Sequence, residues 1–249
     1  MTPKSAPTTI EDVAKQRLLF VVFQPIVDLK TGRPFAYEAL VRSKSNVFPD
    51  PPSILSAAIE SKAMGKIGRV IRELAADDCP DAPLFLNIHP NEFDDSWLVR
   101  PDDPIFSHEH AVYLEITESV PLTHFKFCQG VLREVRARGG VNLAVDDLGA
   151  GYSNLKYIAD LNPEVVKLDR DLVAGLRGGT RLQKLVRSIV RLCNDMGAQV
   201  VCEGIETYDE FAAARDAGAQ FGQGYYFARP ATPRPQYDWK KLSTPPLGL

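Results

Sequence analysis

Short apolar runs alternate with amphipathic helical stretches along most of the chain, and this alternation narrows the fold more than any other feature. The runs fall at Leu18–Leu29, Pro34–Val41, Leu84–Ile88, Val112–Ile116, Val141–Val145, Val165–Leu168 and Val200–Cys202, with a weaker one at Gln220–Phe221. Helical periodicity is expected over Ile10–Arg17 with Thr9 as N-cap, and from Ser53 to about Asp78 with a break near Gly65. It returns at 122–138, 154–159, 180–196 and 207–217. Strands linked through helices lie parallel, and strands apolar throughout are buried on both faces. The Thr31-Gly32 turn is too short for a crossover, so the first two strands form an antiparallel hairpin. Six to eight such units in 249 residues favour a closed barrel over an open sheet, since a barrel of this kind needs about 250.

Composition removes several function classes. The formal net charge is -3, which argues against wrapping a long nucleic acid. No apolar run approaches the ~18 residues of a membrane span, and Met1–Thr9 is polar and Pro-containing, unlike a signal peptide. No membrane insertion is therefore expected. Cys79, Cys128, Cys193 and Cys202 form no CxxC pair and no zinc pattern. They read as reduced thiols of a cytoplasmic protein or soluble domain. A homodimer stays open.

The polar residues at the strand ends carry the functional information. Glu38, Asn87, Glu115, Asp146 with Asp147, Lys167, Glu203 and Gln223 each lie at or just after the end of an apolar run. In an α/β barrel the C-terminal strand ends share one mouth, where catalytic groups collect. Five carboxylates would meet there. Like charges so close push pKa values up, unless oxygen-binding cations such as Mg²⁺ or Mn²⁺ sit among them. Adjacent Asp146 and Asp147 could hold two neighbouring cations, which together can activate a water against a phosphodiester. A lone acid after a strand is usually a cap or a surface charge; an ordered series around seven strands is not so explained.

The same residues resemble the EAL domain family. Glu38-Ala39-Leu40 matches the signature that names it, with Arg42 where the family has an arginine, and Phe23-Gln24-Pro25-Ile26-Val27 matches the opening strand. Asn87, Glu115-Ile116-Thr117-Glu118, Asp146-Asp147-Leu148-Gly149-Ala150-Gly151-Tyr152-Ser153, Lys167-Leu168-Asp169, Glu203-Gly204-Ile205-Glu206-Thr207, Gln223-Gly224-Tyr225 and Pro230 follow in order. The resemblance implies a modified TIM (β/α)8 barrel with an antiparallel first strand over residues 10–231. Residues 1–9 would be a flexible lead-in and 232–249 a C-terminal extension. It implies hydrolysis of cyclic-di-GMP to linear pGpG with two divalent cations, Mg²⁺ or Mn²⁺. Glu38, Asn87, Glu115 and Asp146 would hold the first cation. Asp146 would bridge to the second, near Asp147 and Glu203. Lys167 and Gln223 would orient the attacking water, with Glu203 also in the catalytic set. Gln24, Leu40 and Arg42 would contact substrate, and Glu118 would anchor the loop that begins at Asp147.

The sequence departs from the family pattern in three places. Leu148 and Ala150 replace a Phe and a Thr in the Asp-Asp loop, Ser43–Pro52 lacks a Trp, and His89 stands where the family has Ser. The loop changes keep a second reading in play, a catalytically weak barrel that acts as a cyclic-di-GMP receptor or docks a protein. A Schiff-base enzyme built on Lys167 is a third. Gly149-Ala150-Gly151 lacks the third Gly of a dinucleotide loop, and His108 and His110 have no evident partner ligands.

Overall fold

The computed structural model describes residues 8–93, 97–117, 122–149 and 155–245. Thr9 caps the first helix, α1 (Ile10–Lys15), by accepting from the Asp12 amide. Two ten-residue strands follow, β1 (Leu19–Asp28) and β2 (Pro34–Ser43). In their turn, Asp28 Oδ1 accepts from the Lys30 and Thr31 amides. The periodicity read from Ser53 to Asp78 resolves into α2 (Pro51–Glu60) and α3 (Met64–Asp78). The break lies at 61–63, just ahead of Gly65, where Lys62 takes φ +53 and ends the first helix.

The remaining elements alternate as expected: β3 (Leu84–Asn87), β4 (Val112–Thr117), α4 (Leu122–Ala137), β5 (Val141–Leu148), α5 (Lys156–Leu161), β6 (Val165–Leu168), α6 (Arg170–Val173), α7 (Arg181–Asp195), β7 (Gln199–Cys202), α8 (Tyr208–Ala217), β8 (Phe221–Gly222) and α9 (Trp239–Ser243). The short helices α6 and α9 escape a sequence reading because neither is long enough to show a period. The strands close into a barrel in chain order. β2 through β8 run parallel, while β1 is antiparallel to both of its neighbours, β2 and β8.

The barrel interior has two layers, because side chains two apart on a strand share a face. The floor is apolar: Ile26, Ala36, Phe85, Ala144, Val165, Val201 and Phe221, with Phe35 and Tyr113 packed against them. Its rings stack, Phe35 on Phe221 at 3.9 Å and Phe85 on Tyr113 at 4.4 Å between centroids. Two residues beyond the floor, the parallel strands present Glu38, Asn87, Glu115, Asp146, Lys167, Glu203 and Gln223. Antiparallel β1 supplies Gln24, two residues before Ile26. The floor therefore closes the barrel beneath one polar layer.

Outside, two large apolar clusters join strands to helices. A tight turn, not a helix, links β1 to β2. Helix α3 packs against β1, with Val21, Phe23, Ala75 and Cys79 in one apolar cluster, and the C-terminal segment also crosses β1. Ala231 pairs with Phe23 in an antiparallel bridge, Arg234 meets Asp81, and the Tyr237 hydroxyl donates to Gly32 O. Cys79, Cys193 and Cys202 are buried free thiols; the Cys128 side chain lies outside the described set. No helix among the described residues is long and apolar enough to cross a membrane.

Candidate active site at the barrel mouth

Lys167 is the hub of the polar layer. It is 1 % exposed, and its Nζ lies 2.5 Å from Glu115 Oε1, 2.7 Å from Glu203 Oε1, 3.2 Å from Asp146 Oδ1 and 3.5 Å from Glu38 Oε2. Glu38 is held from the other side. Asn87 Nδ2 donates to its Oε1 at 2.9 Å, and Gln223 Nε2 donates to its Oε2 at 2.5 Å. Gln223 Nε2 also reaches Gln24 Oε1 at 3.2 Å, and Gln24 Nε2 donates to Ala228 O at 3.1 Å.

Asp147 reaches the same mouth by a local break in the strand. Neighbouring residues on a regular strand point to opposite faces. Here the β5–β6 register shifts between Val145 and Leu148, and Asp147 takes φ +59. That bulge turns the second carboxylate back toward the first. One oxygen each of Asp146, Asp147 and Glu203 falls within 4.8 Å of the others, a spacing that suits a divalent cation. Gly149 completes the turn at φ +111, where a Cβ would lie 2.4 Å from Leu172 Cδ1. No larger residue fits without moving Leu172.

The charge balance is lopsided. Four carboxylates surround one ammonium, and Glu115 Oε2 and Gln223 Oε1 are buried with no hydrogen-bond partner among the described residues. Burial first, then repulsion from Glu38 and Asp146, pushes Glu115 well above the usual carboxylate range against the pull of Lys167. Burial likewise raises Glu203 to about 8, with Asp146 and Glu38 adding to it and Lys167 opposing. Glu38 goes the other way: burial works to raise it, but Lys167, Gln223 and Asn87 together hold it below its ordinary value. Burial disfavours the Lys167 ammonium, yet Asp146, Glu115, Glu203 and Glu38 outweigh it and raise its pKa well above normal. Buried oxygens without donors and acids driven to protonate fit a site completed by divalent cations.

Glu203 holds a proton in the folded, metal-free state between its ordinary value of 4.5 and about 8. The unfolded chain has released that proton over the same window, so metal-free stability falls as pH rises through it. Cation binding needs the carboxylates ionised and strengthens in the same direction. Thermal unfolding is therefore expected to show a larger Mn²⁺-induced rise in Tm at about pH 8.5 than at about pH 5.5. An equal rise at both values would contradict the protonated acids.

Two pockets meet at Leu40. One, about 420 Å³ and mostly apolar, is lined by Leu40, Arg42, Leu55, Met64, Asn87 and His89 among others. The second, about 350 Å³, is lined by Gln24, Glu38, Leu40, Asp147, Glu203 and Gln223 with Tyr225 at its rim. Arg42 donates to Val41 O and lies beside the first pocket. His89 caps a 3-10 turn (Pro90–Glu92), its Nδ1 accepting from the Asn91 amide. Burial lowers its pKa, so the ring is neutral. Leu148 is buried in the outer core and pairs with Leu168. Glu118 and Ala150 lie outside the described residues.

Sequence reasoning missed a second buried cluster. Arg72 is 2 % exposed and pairs with Glu92 at 2.5 Å and Asp103 at 2.9 Å. It ties α3 to the long segment after β3. Residues so far apart along the chain give no local signal.

Fold and site together define a closed α/β barrel with an inverted first strand and a lysine-centred acidic mouth suited to divalent cations. The EAL domain family model matches residues 9–230, and the chain belongs to that family. It is 33 % identical over 232 residues to the cyclic di-GMP phosphodiesterase PA2567 of Pseudomonas aeruginosa, covering 88 % of this chain but only 39 % of that protein. Among solved structures it resembles Klebsiella pneumoniae BlrP1 in a manganese and cyclic-di-GMP complex. The TM-score is 0.74 at 29 % identity, over 86 % of this chain and 56 % of that one. An EAL domain protein from Listeria monocytogenes matches with TM-score 0.77 at 28 % identity, over 93 % of this chain and 95 % of its own.

Proposed function

We propose that the chain hydrolyses cyclic-di-GMP to linear pGpG with two divalent cations, Mg²⁺ or Mn²⁺. The observation that carries this reading is the buried charge imbalance around Lys167, with Glu115 Oε2 lacking a hydrogen-bond partner among the described residues in a pocket of acids. The similarity to a named cyclic di-GMP phosphodiesterase and to a solved manganese and cyclic-di-GMP complex supports the substrate.

Glu38, Asn87, Glu115 and Asp146 would hold one cation, and Asp146, Asp147 and Glu203 the other. Such cations supply a water of lowered pKa and neutralise charge on the leaving oxygen. Gln223 spends its amide hydrogens on Glu38 and Gln24, so its Oε1 is left to accept from the attacking water and aim it. Lys167 keeps a fixed positive charge among the acids, where it orients the water and offsets negative charge developing on the phosphate. Arg42 reaches a phosphate oxygen, and Leu40 supplies the apolar wall common to both pockets, which suits a ligand with two purines.

The test is incubation with cyclic-di-GMP and Mg²⁺, Mn²⁺ or Ca²⁺, with and without chelator, followed by nucleotide chromatography. Linear pGpG is expected with Mg²⁺ or Mn²⁺. None is expected with chelator or with Ca²⁺ alone, whose larger and looser shell fits a two-cation site poorly. Binding without turnover under every cation would replace hydrolysis with the receptor reading.

A further inference from the structure

We propose that Glu92, held by Arg72, is a positioning residue for Asn87, fixing the path of the chain out of β3 so that Asn87 keeps its place at the cation site. The inference rests on the hydrolytic reading above and deepens it at the same site.

Asn87 stands where β3 runs out of sheet. It is the exposed last residue of a four-residue strand. The register with β2 ends at Leu86, whereas β4 still pairs with Asn87 through Glu115. Asn87 Nδ2 donates to Glu38 Oε1 at 2.9 Å, and its Oδ1 is the atom able to ligate a cation. Just beyond, the Ile88 amide donates to Glu115 O at 3.0 Å, and the chain then leaves the sheet for the turn at Pro90–Glu92.

Glu92 governs that departure. Its Oε1 accepts from the His89 amide at 3.2 Å, and its Oε2 accepts from Arg72 Nη1 at 2.5 Å. A carboxylate engaged at both oxygens has one orientation, so α3 sets the course of the backbone two residues after Asn87. Arg72 is itself immobilised, with Nε and Nη2 donating to Asp103 at 3.1 and 2.9 Å, and all three side chains are buried. The helix is shaped for this contact. Gly68 lies one turn before Arg72, and a Cβ there would fall 1.9 Å from Glu92 Oε2. Glycine inside a helix weakens it, and here the missing side chain is the space the carboxylate occupies. Apolar residues of similar volume would hold α3 to this segment about as well, without the cost of burying charge. What the ion pairs add is direction, because a planar guanidinium fixes where each acceptor oxygen points.

E92Q keeps the size of the side chain but offers an acceptor to Arg72 or to the His89 amide, not to both. Residues that orient a metal ligand typically carry tenfold to hundredfold of the affinity. Calorimetric titration of the metal-free chain with Mn²⁺ alone is therefore expected to show binding weakened by roughly tenfold or more in E92Q. With cyclic-di-GMP, the Mn²⁺ concentration for half-maximal turnover should rise by a similar factor, while kcat at saturating Mn²⁺ stays within about threefold. G68A leaves every charged group in place and crowds Glu92 out of position, so it should reproduce the Mn²⁺ loss. D103N is the control. Asp103 serves the next turn (Pro104–Phe106), accepting from the Ile105 amide at 3.3 Å. Its variant is expected to lower Tm yet shift Mn²⁺ affinity by less than about twofold. In an N87A background, E92Q should shift Mn²⁺ affinity by less than about twofold, because a residue that acts through Asn87 has nothing left to act on. Unchanged Mn²⁺ affinity in E92Q and G68A, equal losses in E92Q and D103N, or the same E92Q penalty without Asn87 overturns the proposal. If the parent chain binds Mn²⁺ but leaves cyclic-di-GMP intact, the hydrolytic reading falls, and the calorimetry still decides the role of Glu92. A parent chain that binds no Mn²⁺ overturns both.

Discussion

Asp146→Ala is expected to lower turnover of cyclic-di-GMP by roughly a thousandfold or more, the scale of losing several kcal/mol of charge stabilisation. The reason lies in where this carboxylate sits. It is 3.2 Å from Lys167 Nζ and close to both Asp147 and Glu203, and it is the carboxylate assigned above to both cation positions. Removing it should impair both proposed cation positions together. Neighbours cannot fill in, because Asp147 is turned by its own bulge and Glu115 is fixed on β4. The fold should survive, since the change relieves like-charge crowding; a Tm equal to or above that of the parent in metal-free buffer is expected. Measured kcat within about tenfold of the parent at saturating Mn²⁺ would remove Asp146 from the centre of the site.

Lys167→Met has a different signature. The methionine keeps the length of the side chain but takes the central cation from four acids, with the barrel floor beneath them. Breaking a buried ion pair from one side costs about 3 kcal/mol, which for a chain of this size is a Tm loss of about 10 °C in metal-free buffer. Protonation of Glu115 and Glu203 should absorb part of the cost, so the loss should be smallest in acid and grow as pH rises. Mn²⁺ should restore much of the Tm, because added cations replace the missing charge. It should not restore kcat, because they do not replace a cation fixed between Glu115 and Glu203. A fall in kcat with little change in KM is the expected kinetic result. Equal losses in binding and rate would assign Lys167 to substrate binding instead.

The large elements were legible because burial leaves a local trace. The strand runs at 84–88, 112–116, 141–145 and 165–168 and the helices at 180–196 and 207–217 stand within a few residues of those observed, with β5 running on to Leu148. The barrel type followed from alternation and one tight turn. The polar layer was legible as an ordered series at strand ends, and the resemblance built on it agrees with the family match over residues 9–230. What failed to show was short or distant. Helix α6 is four residues long, and Arg72, Glu92 and Asp103 meet only after α3 folds against the segment beyond β3.

The amino-acid order by itself determined which face of each strand is apolar, where the one antiparallel turn must fall, and which side chains crown the strands, because two-residue periodicity is a property of neighbours in the chain. Tertiary structure decided the rest. Lys167 meets carboxylates that lie from 21 to 129 residues away. Asp147 joins Asp146 on one side only because β5 bulges, and Gln24 meets Gln223 and Ala228 across the closing seam of the barrel. Distances, protonation and hydrogen-bond direction depend on what closes over a side chain, and ring closure is where those neighbours are chosen.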